Sequence, residues 1–134
     1  MSHKTTLLIV DDSEYIRTEF QRTLEDLGYA VATAIDGADA MNVLRETKGV
    51  FAILSDLNMP NVDGMELLRQ VKKDARLAHI HFFMLTASSA EGPRVEAKAL
   101  GIRGWIVKMP NFSTIDAILR KLAAADGNTG GALR

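Results

Sequence analysis

Short apolar runs alternate with longer amphipathic ones along the chain. Residues 6–10, 30–34, 51–55, 82–85 and 104–107 are each too short for a buried helix. Several are rich in branched side chains, which predicts strands of a buried parallel sheet. The segments between them repeat with helical period. In 13–27, Ile16, Phe20, Thr23, Leu24 and Leu27 share one face, with Ser13 placed to cap the helix and Gly28 to end it. In 36–46 the inward set is Ala40, Val43 and Leu44, and in 64–73 it is Leu67, Leu68 and Val71. A short fourth helix is predicted over 91–100, with Pro93 near its first turn and Gly101 after its end. The fifth carries the stripe Ile115, Ile118, Leu119, Leu122 and Ala123, with Ser113 or Thr114 near its start.

A strand followed by a helix, repeated five times, predicts an α/β fold with a doubly wound five-stranded parallel sheet. The 134-residue length suits one domain, expected over residues 1–124, with the Gly-rich 125–134 as a flexible C-terminal tail. Composition then narrows the function. A net charge of −1 offers no basic stripe for nucleic acid. The absence of cysteine excludes disulfides, thiolate metal sites and cysteine nucleophiles. No apolar run approaches the roughly 18 residues of a membrane span, and the opening "MSHKTT" is unlike a signal peptide. A cytoplasmic protein without membrane insertion is expected.

The candidate chemistry collects at strand ends. The run "ILSDLNMPNVDG" at 53–64 ends a buried strand on Asp56 and passes into a stiff loop with Pro60, Asp63 and Gly64. Asp suits turns on its own account, so the surroundings must decide whether it has a chemical task. A doubly wound sheet sets its site at the carboxyl ends of its strands. In the common five-strand order 2-1-3-4-5 the first and third strands are neighbours, so Asp11, Asp12 and Asp56 converge. The fourth strand ends in Thr86 and the fifth in Lys108. Three close carboxylates raise one another's pKa unless a cation sits among them. Oxygen-only donors favour Mg2+ or Ca2+ over zinc, and a small site that keeps several waters suits Mg2+. A carboxylate there can act as a nucleophile toward phosphorus, with Lys108 giving a charged and Thr86 a neutral hydrogen bond to phosphoryl oxygens.

The motifs "IVDDS" at 9–13, "SDLNMPNVDG" at 55–64, "MLTA" at 84–87 and "GWIVK" at 104–108 resemble those of a response-regulator receiver domain. The likeness is greatest to the CheY-like single-domain type, with its flavodoxin-like (βα)5 fold, and covers residues 5–124. It implies a phosphorylation-dependent signalling switch of a two-component system. Asp56 is then the phosphoacceptor for a partner histidine kinase. Asp11, Asp12, Asp56 and the backbone carbonyl of Asn58 hold Mg2+, and Lys108 pairs with the phosphoryl group. Thr86 swings toward that group and Trp105 follows, altering the docking surface of the fourth helix, fifth strand and fifth helix. The resemblance further implies a monomer that acts on a downstream protein target, as in chemotaxis. It is no enzyme in the ordinary sense, although it assists its own phosphorylation and dephosphorylation.

The chain departs from the family pattern at named places. Where the family has Lys followed by Pro, often with a cis bond, this chain has Lys108, Met109, Pro110, so the cis bond persists, moves or vanishes. Trp105 stands where Tyr or Phe is commoner. Asn58 and Ser88 are both small and polar at places that influence loss of the phosphoryl group. Alternative readings are a phosphorelay or phosphate-sink intermediate that hands the group to a phosphotransfer protein, and a degenerate receiver acting as a phosphorylation-independent interaction module. A haloacid-dehalogenase-type hydrolase wants a second Asp where Asn58 stands. A flavin protein wants a Ser, Thr and Gly-rich loop in place of "DDSEY". His3, His79 and His81 lack ligand spacing and read as surface or strand-end residues, and Met59 reads as loop packing.

Overall fold

The computed structural model describes residues 5–87 and 91–126, without the side chains of 91 and 92. Strands β1 (Thr6–Val10), β2 (Ala30–Ala34), β3 (Val50–Asp56), β4 (His81–Thr86) and β5 (Gly104–Val107) form one parallel sheet in the order β2-β1-β3-β4-β5. Helices α1 (Glu14–Asp26), α2 (Gly37–Glu46), α3 (Gly64–Lys73), α4 (Glu91–Ala99) and α5 (Phe112–Ala125) connect and cover it.

Successive residues of a strand face opposite sides of the sheet, and here that alternation builds two cores. Leu7, Ile9, Leu54, Phe83 and Leu85 pack with Phe20 and Leu24 of α1 and Ile115 and Leu119 of α5. Leu8, Val10, Ile53, Phe82 and Met84 face the other way, against Ala40 and Leu44 of α2, Leu67, Leu68 and Val71 of α3, and Ala97 of α4. The central strands are buried almost throughout, whereas the edge strands β2 and β5 are mostly half-buried.

The ends of several elements differ from the sequence expectation. β3 starts at Val50 and reaches Asp56, and β4 runs from His81 to Thr86. The apolar pattern breaks at Asp56, His81 and Thr86, but backbone pairing does not depend on side-chain polarity, and Asp56 pairs with Leu85. α5 is capped by Asn111, whose Oδ1 accepts from the Ser113 N–H at 2.9 Å, and Ser113 and Thr114 stand near its start as expected. Asn is among the strongest N-caps, so it takes the position two or three residues upstream. α5 ends at Ala125, one residue past the expected boundary, and residues 127–134 lie outside the described part. Ile118 is 37% exposed, at the margin of the α5 stripe rather than in it.

The first three helices begin at the site end of the sheet with polar caps. Ser13 caps α1, Asp36 caps α2 and Asp63 caps α3, each side chain accepting from the third residue onward. Gly64 donates its N–H to Leu57 O at 2.9 Å. A Cβ at Gly64 would collide with Asp56 O and stand 2.8 Å from Met84 Sδ and 3.0 Å from Leu57 Cα. Glycine at this position is what lets α3 start directly against the end of β3.

Candidate phosphoacceptor site

Asp11 follows β1 directly and is fully buried. Its N–H donates to Ala34 O at 3.1 Å, extending the β1–β2 ladder by one bond. Its side chain is held on both oxygens. Ser13 N–H donates to Oδ1 at 2.8 Å, and Lys108 Nζ donates to Oδ2 at 2.7 Å. Arg17, one turn into α1, donates from Nη1 to Asp11 O at 2.7 Å. Asp12 is exposed, and Asp56 is buried at the end of β3. Oxygens of Asp11, Asp12 and Asp56 all lie within 4.8 Å of one another. Lys108 Nζ also lies 3.3 Å from Asp56 Oδ1, so one ammonium bridges two of the three acids. Its backbone N–H donates to Thr86 O at 2.8 Å, which fixes Lys108 at the tip of β5. The Lys108–Met109 peptide bond is cis, so the cis bond stays after the lysine although no proline follows.

Burial raises the pKa of Asp56, and the nearby Asp11 charge raises it further, only partly offset by Lys108. Burial alone would lower the pKa of Lys108. The hydrogen bond to Asp11 and the charges of Asp11 and Asp56 outweigh that effect and hold the ammonium above its ordinary value. Three acids against one base leave an excess of negative charge. The donors are all oxygen, with no imidazole or thiolate among them. This set fits a small hard cation such as Mg2+.

The other expected site residues sit on the same rim. Thr86 is buried at the end of β4, and Asn58 is exposed two residues beyond Asp56. Trp105 pairs with Met84 and Val107 pairs with Thr86. Paired residues in a parallel ladder share a face, so Thr86 and Trp105 both face the α4 side of the sheet. Trp105 is half-buried against the core on that side, and its Nε1 is buried without a hydrogen-bond partner among the described residues. The Arg94 guanidinium of α4 lies 5.8 Å from the Trp105 ring centre, a cation–π distance. Ser88 and His3 lie outside the described residues.

Three features escaped the sequence reading. Arg17 secures the backbone of Asp11 from α1. His81 is a strand-end residue, as one of its two expected readings had it, but a buried one whose bonds were not foreseen: it is 7% exposed, accepts from Arg103 Nε at 3.3 Å on Nδ1, and its Nε2 bonds Asp126 Oδ2 at 2.8 Å. Asp36 is 5% exposed, and its pKa is lowered by the hydrogen bond from the Asp39 N–H first and then by that from the Asn61 amide. A hydrophobic pattern carries no signal for such bonds. The Asp-Gly and Asn residues concerned read simply as turn formers.

A sequence profile of the response regulator receiver domain matches residues 7–120. The chain is similar to the chemotaxis protein CheY of Pseudomonas aeruginosa, at 38% identity over 103 residues, covering 76% of this chain and 82% of that one. It is also similar to chemotaxis protein CheY-3 of Vibrio cholerae, at 35% identity over 118 residues, 87% of this chain and 89% of that one. The solved structure of the Vibrio cholerae chemotaxis protein CheY4 superposes with a TM-score of 0.82 at 34% identity, over 89% of this chain and 98% of that one. A five-stranded doubly wound domain with an acidic pocket at its carboxyl rim is thus also a match in sequence. The chain belongs to the response regulator receiver domain family, and within it to the CheY-like kind.

Proposed function

We propose that this chain is a phosphorylation-dependent switch of a two-component system, working in the cytoplasm, with residues 1–124 as the receiver. A carboxylate oxygen of Asp56 attacks the phosphorus of a phosphohistidine on a partner histidine kinase. The new O–P bond forms as the N–P bond breaks, and the electron pair leaves with the imidazole nitrogen. The observation that carries this reading is the convergence of Asp11, Asp12 and Asp56 within 4.8 Å, with Lys108 bridging Asp11 and Asp56.

Asp11, Asp12, Asp56 and the Asn58 carbonyl are the residues that would hold Mg2+. Bound there, the ion would supply positive charge against the phosphoryl oxygens. Lys108 exchanges its contact with Asp56 for one with a phosphoryl oxygen, a charge-assisted bond that opposes charge build-up. Thr86 donates a hydroxyl to the same group. No general base is required, because the nucleophile reacts in its ionised form.

The phosphoryl group adds up to about two negative charges at one point. It shifts the protein only through contacts that differ between two states. Thr86 and Lys108 make those contacts, and Trp105, on the Thr86 side of the sheet, carries the change to the α4–β5–α5 face. Exposed Val95, Val107, Met109 and Ile118 give that face apolar contact area for a downstream protein. The likeness to chemotaxis proteins favours a target docked there over onward phosphate transfer. Trp105 is the sole tryptophan, so its fluorescence reports this step. Adding beryllofluoride, a phosphoryl mimic, with Mg2+ changes the emission of the wild type and leaves Asp56→Asn unchanged. An unchanged wild type would remove the Trp105 part of the mechanism.

A further inference from the structure

The loop between β3 and α3 carries Asn58, and its ends are tied by backbone bonds from Leu57 N–H to Leu85 O at 3.0 Å and from Gly64 N–H to Leu57 O at 2.9 Å. Its far side is tied differently, to the turn between β2 and α2. Asn61 Nδ2 donates to Asp36 Oδ2 at 2.9 Å, and Gly37 N–H donates to Val62 O at 2.9 Å. The fit is close, since a Cβ on Gly37 would stand 2.7 Å from Val62 O and collide with the Val62 side chain. Asn61 adopts φ 65°, a left-handed turn that Asn tolerates better than most residues. Asp36 meanwhile caps α2, its Oδ1 accepting from Asp39 N–H at 2.8 Å. The residue just before that turn, Ile35, follows Ala34, whose carbonyl accepts from Asp11 N–H. One turn therefore braces both the strand end that presents Asp11 and the loop that presents Asn58.

We infer that Asp36 and Asn61 are positioning residues for cation binding at the phosphoacceptor site: their half-buried hydrogen bond holds the 58–60 span so that the Asn58 carbonyl is preorganised toward the acidic cluster. This inference rests on the phosphoacceptor reading. Neither residue belongs to the acidic cluster itself. Their bond acts by removing freedom from a loop that would otherwise have to be ordered when the ion binds.

A double-mutant cycle separates this role from bulk charge. Asp36→Asn removes a negative charge near the site, and Asn61→Asp adds one. Asn61→Asp breaks the pair by facing two carboxylates, whereas Asp36→Asn keeps it, because the Asn61 amide turns over and accepts from the new amide; both new residues remain compatible with their backbone positions. The combination Asp36→Asn with Asn61→Asp restores a donor–acceptor pair with roles exchanged and leaves net charge unchanged. Isothermal titration with Mg2+ alone gives the Kd, and thermal unfolding in EDTA gives the stability of the metal-free fold. Asn61→Asp is expected to raise the Mg2+ Kd about tenfold, Asp36→Asn to leave it within about twofold of wild type, and the double variant to return it to within about twofold as well. Opposite shifts in the two singles, weaker for Asp36→Asn and tighter for Asn61→Asp, would overturn the clamp in favour of charge alone. So would an unchanged Kd in both. If a single variant fails to fold, Asn61→Gly deletes the amide and keeps the left-handed turn, and the same rise in Kd is required of it. A wild type that takes up no Mg2+ overturns the phosphoacceptor reading and the clamp together, whereas wild-type binding with insensitive variants overturns the clamp only.

Discussion

Asp56 is held in a place that suits a nucleophile better than it suits stability. Its carboxyl is buried beside Asp11, and the pKa is raised by burial first and by that charge second. For an acid whose folded pKa is raised, the favourable contribution to stability is present below the ordinary carboxylate range and is lost as pH rises through the raised value. At neutral pH the metal-free site is therefore a net cost. Asp56→Asn is expected to stabilise the metal-free protein at pH 7 by about 1 kcal/mol, with the gain shrinking as pH falls toward the carboxylate range. Denaturant unfolding in EDTA at both pH values checks the size and sign. Trp105 presents the other local tension, a buried indole N–H without an acceptor among the described residues. Trp105→Phe keeps an aromatic ring on the core and removes that donor. Its loss in stability should be well below the ~3–5 kcal/mol typical of truncating a buried Trp to Ala, as read from the same unfolding curves.

At the scale of elements, strand and helix order was legible because short continuous apolar runs and period-3.6 patterns report burial, and burial is what orders the elements. Helix starts at Ser13 and Gly64 were equally plain, since caps and glycines have local chemistry. The start of α5 was legible only to within a residue or two, because Asn111, Ser113 and Thr114 are all capable caps, and only the backbone path after Pro110 selects among them. Bonds between elements were not legible at all: Tyr29 at the start of β2 donates to Asp116 of α5 at 2.5 Å, across 87 positions of sequence. Tyr29→Phe is expected to cost about 1 kcal/mol in thermal or denaturant unfolding, without affecting the acidic site at the other end of the strand. Gly64→Ala is expected to cost more, above about 2 kcal/mol despite alanine's better helix propensity, because the new methyl meets Asp56 O and Leu57 Cα. It should also slow phosphorylation of Asp56, since the strand end must shift to admit it.

For the molecule as a whole, the sheet order converts separate short motifs into one site. Residues 11, 12, 56, 86 and 108 meet only because β1, β3, β4 and β5 stand side by side with their carboxyl ends together. That convergence could be anticipated from the alternation of strands and helices. The clamp of Asp36 on Asn61 could not, since nothing in a turn sequence says which loop it will meet. The same topology sets the acidic cluster at one rim, with Thr86 and Trp105 on the α4 side of β4 and β5 beside it. The central claim is that Asp56 receives a phosphoryl group, and intact-mass analysis after incubation with acetyl phosphate and Mg2+ tests it most directly. The account predicts one added phosphoryl mass on the wild type, dependent on Mg2+ and absent from Asp56→Asn. A wild type that gains no mass, or an Asp56→Asn variant that gains as much as the wild type, would contradict it.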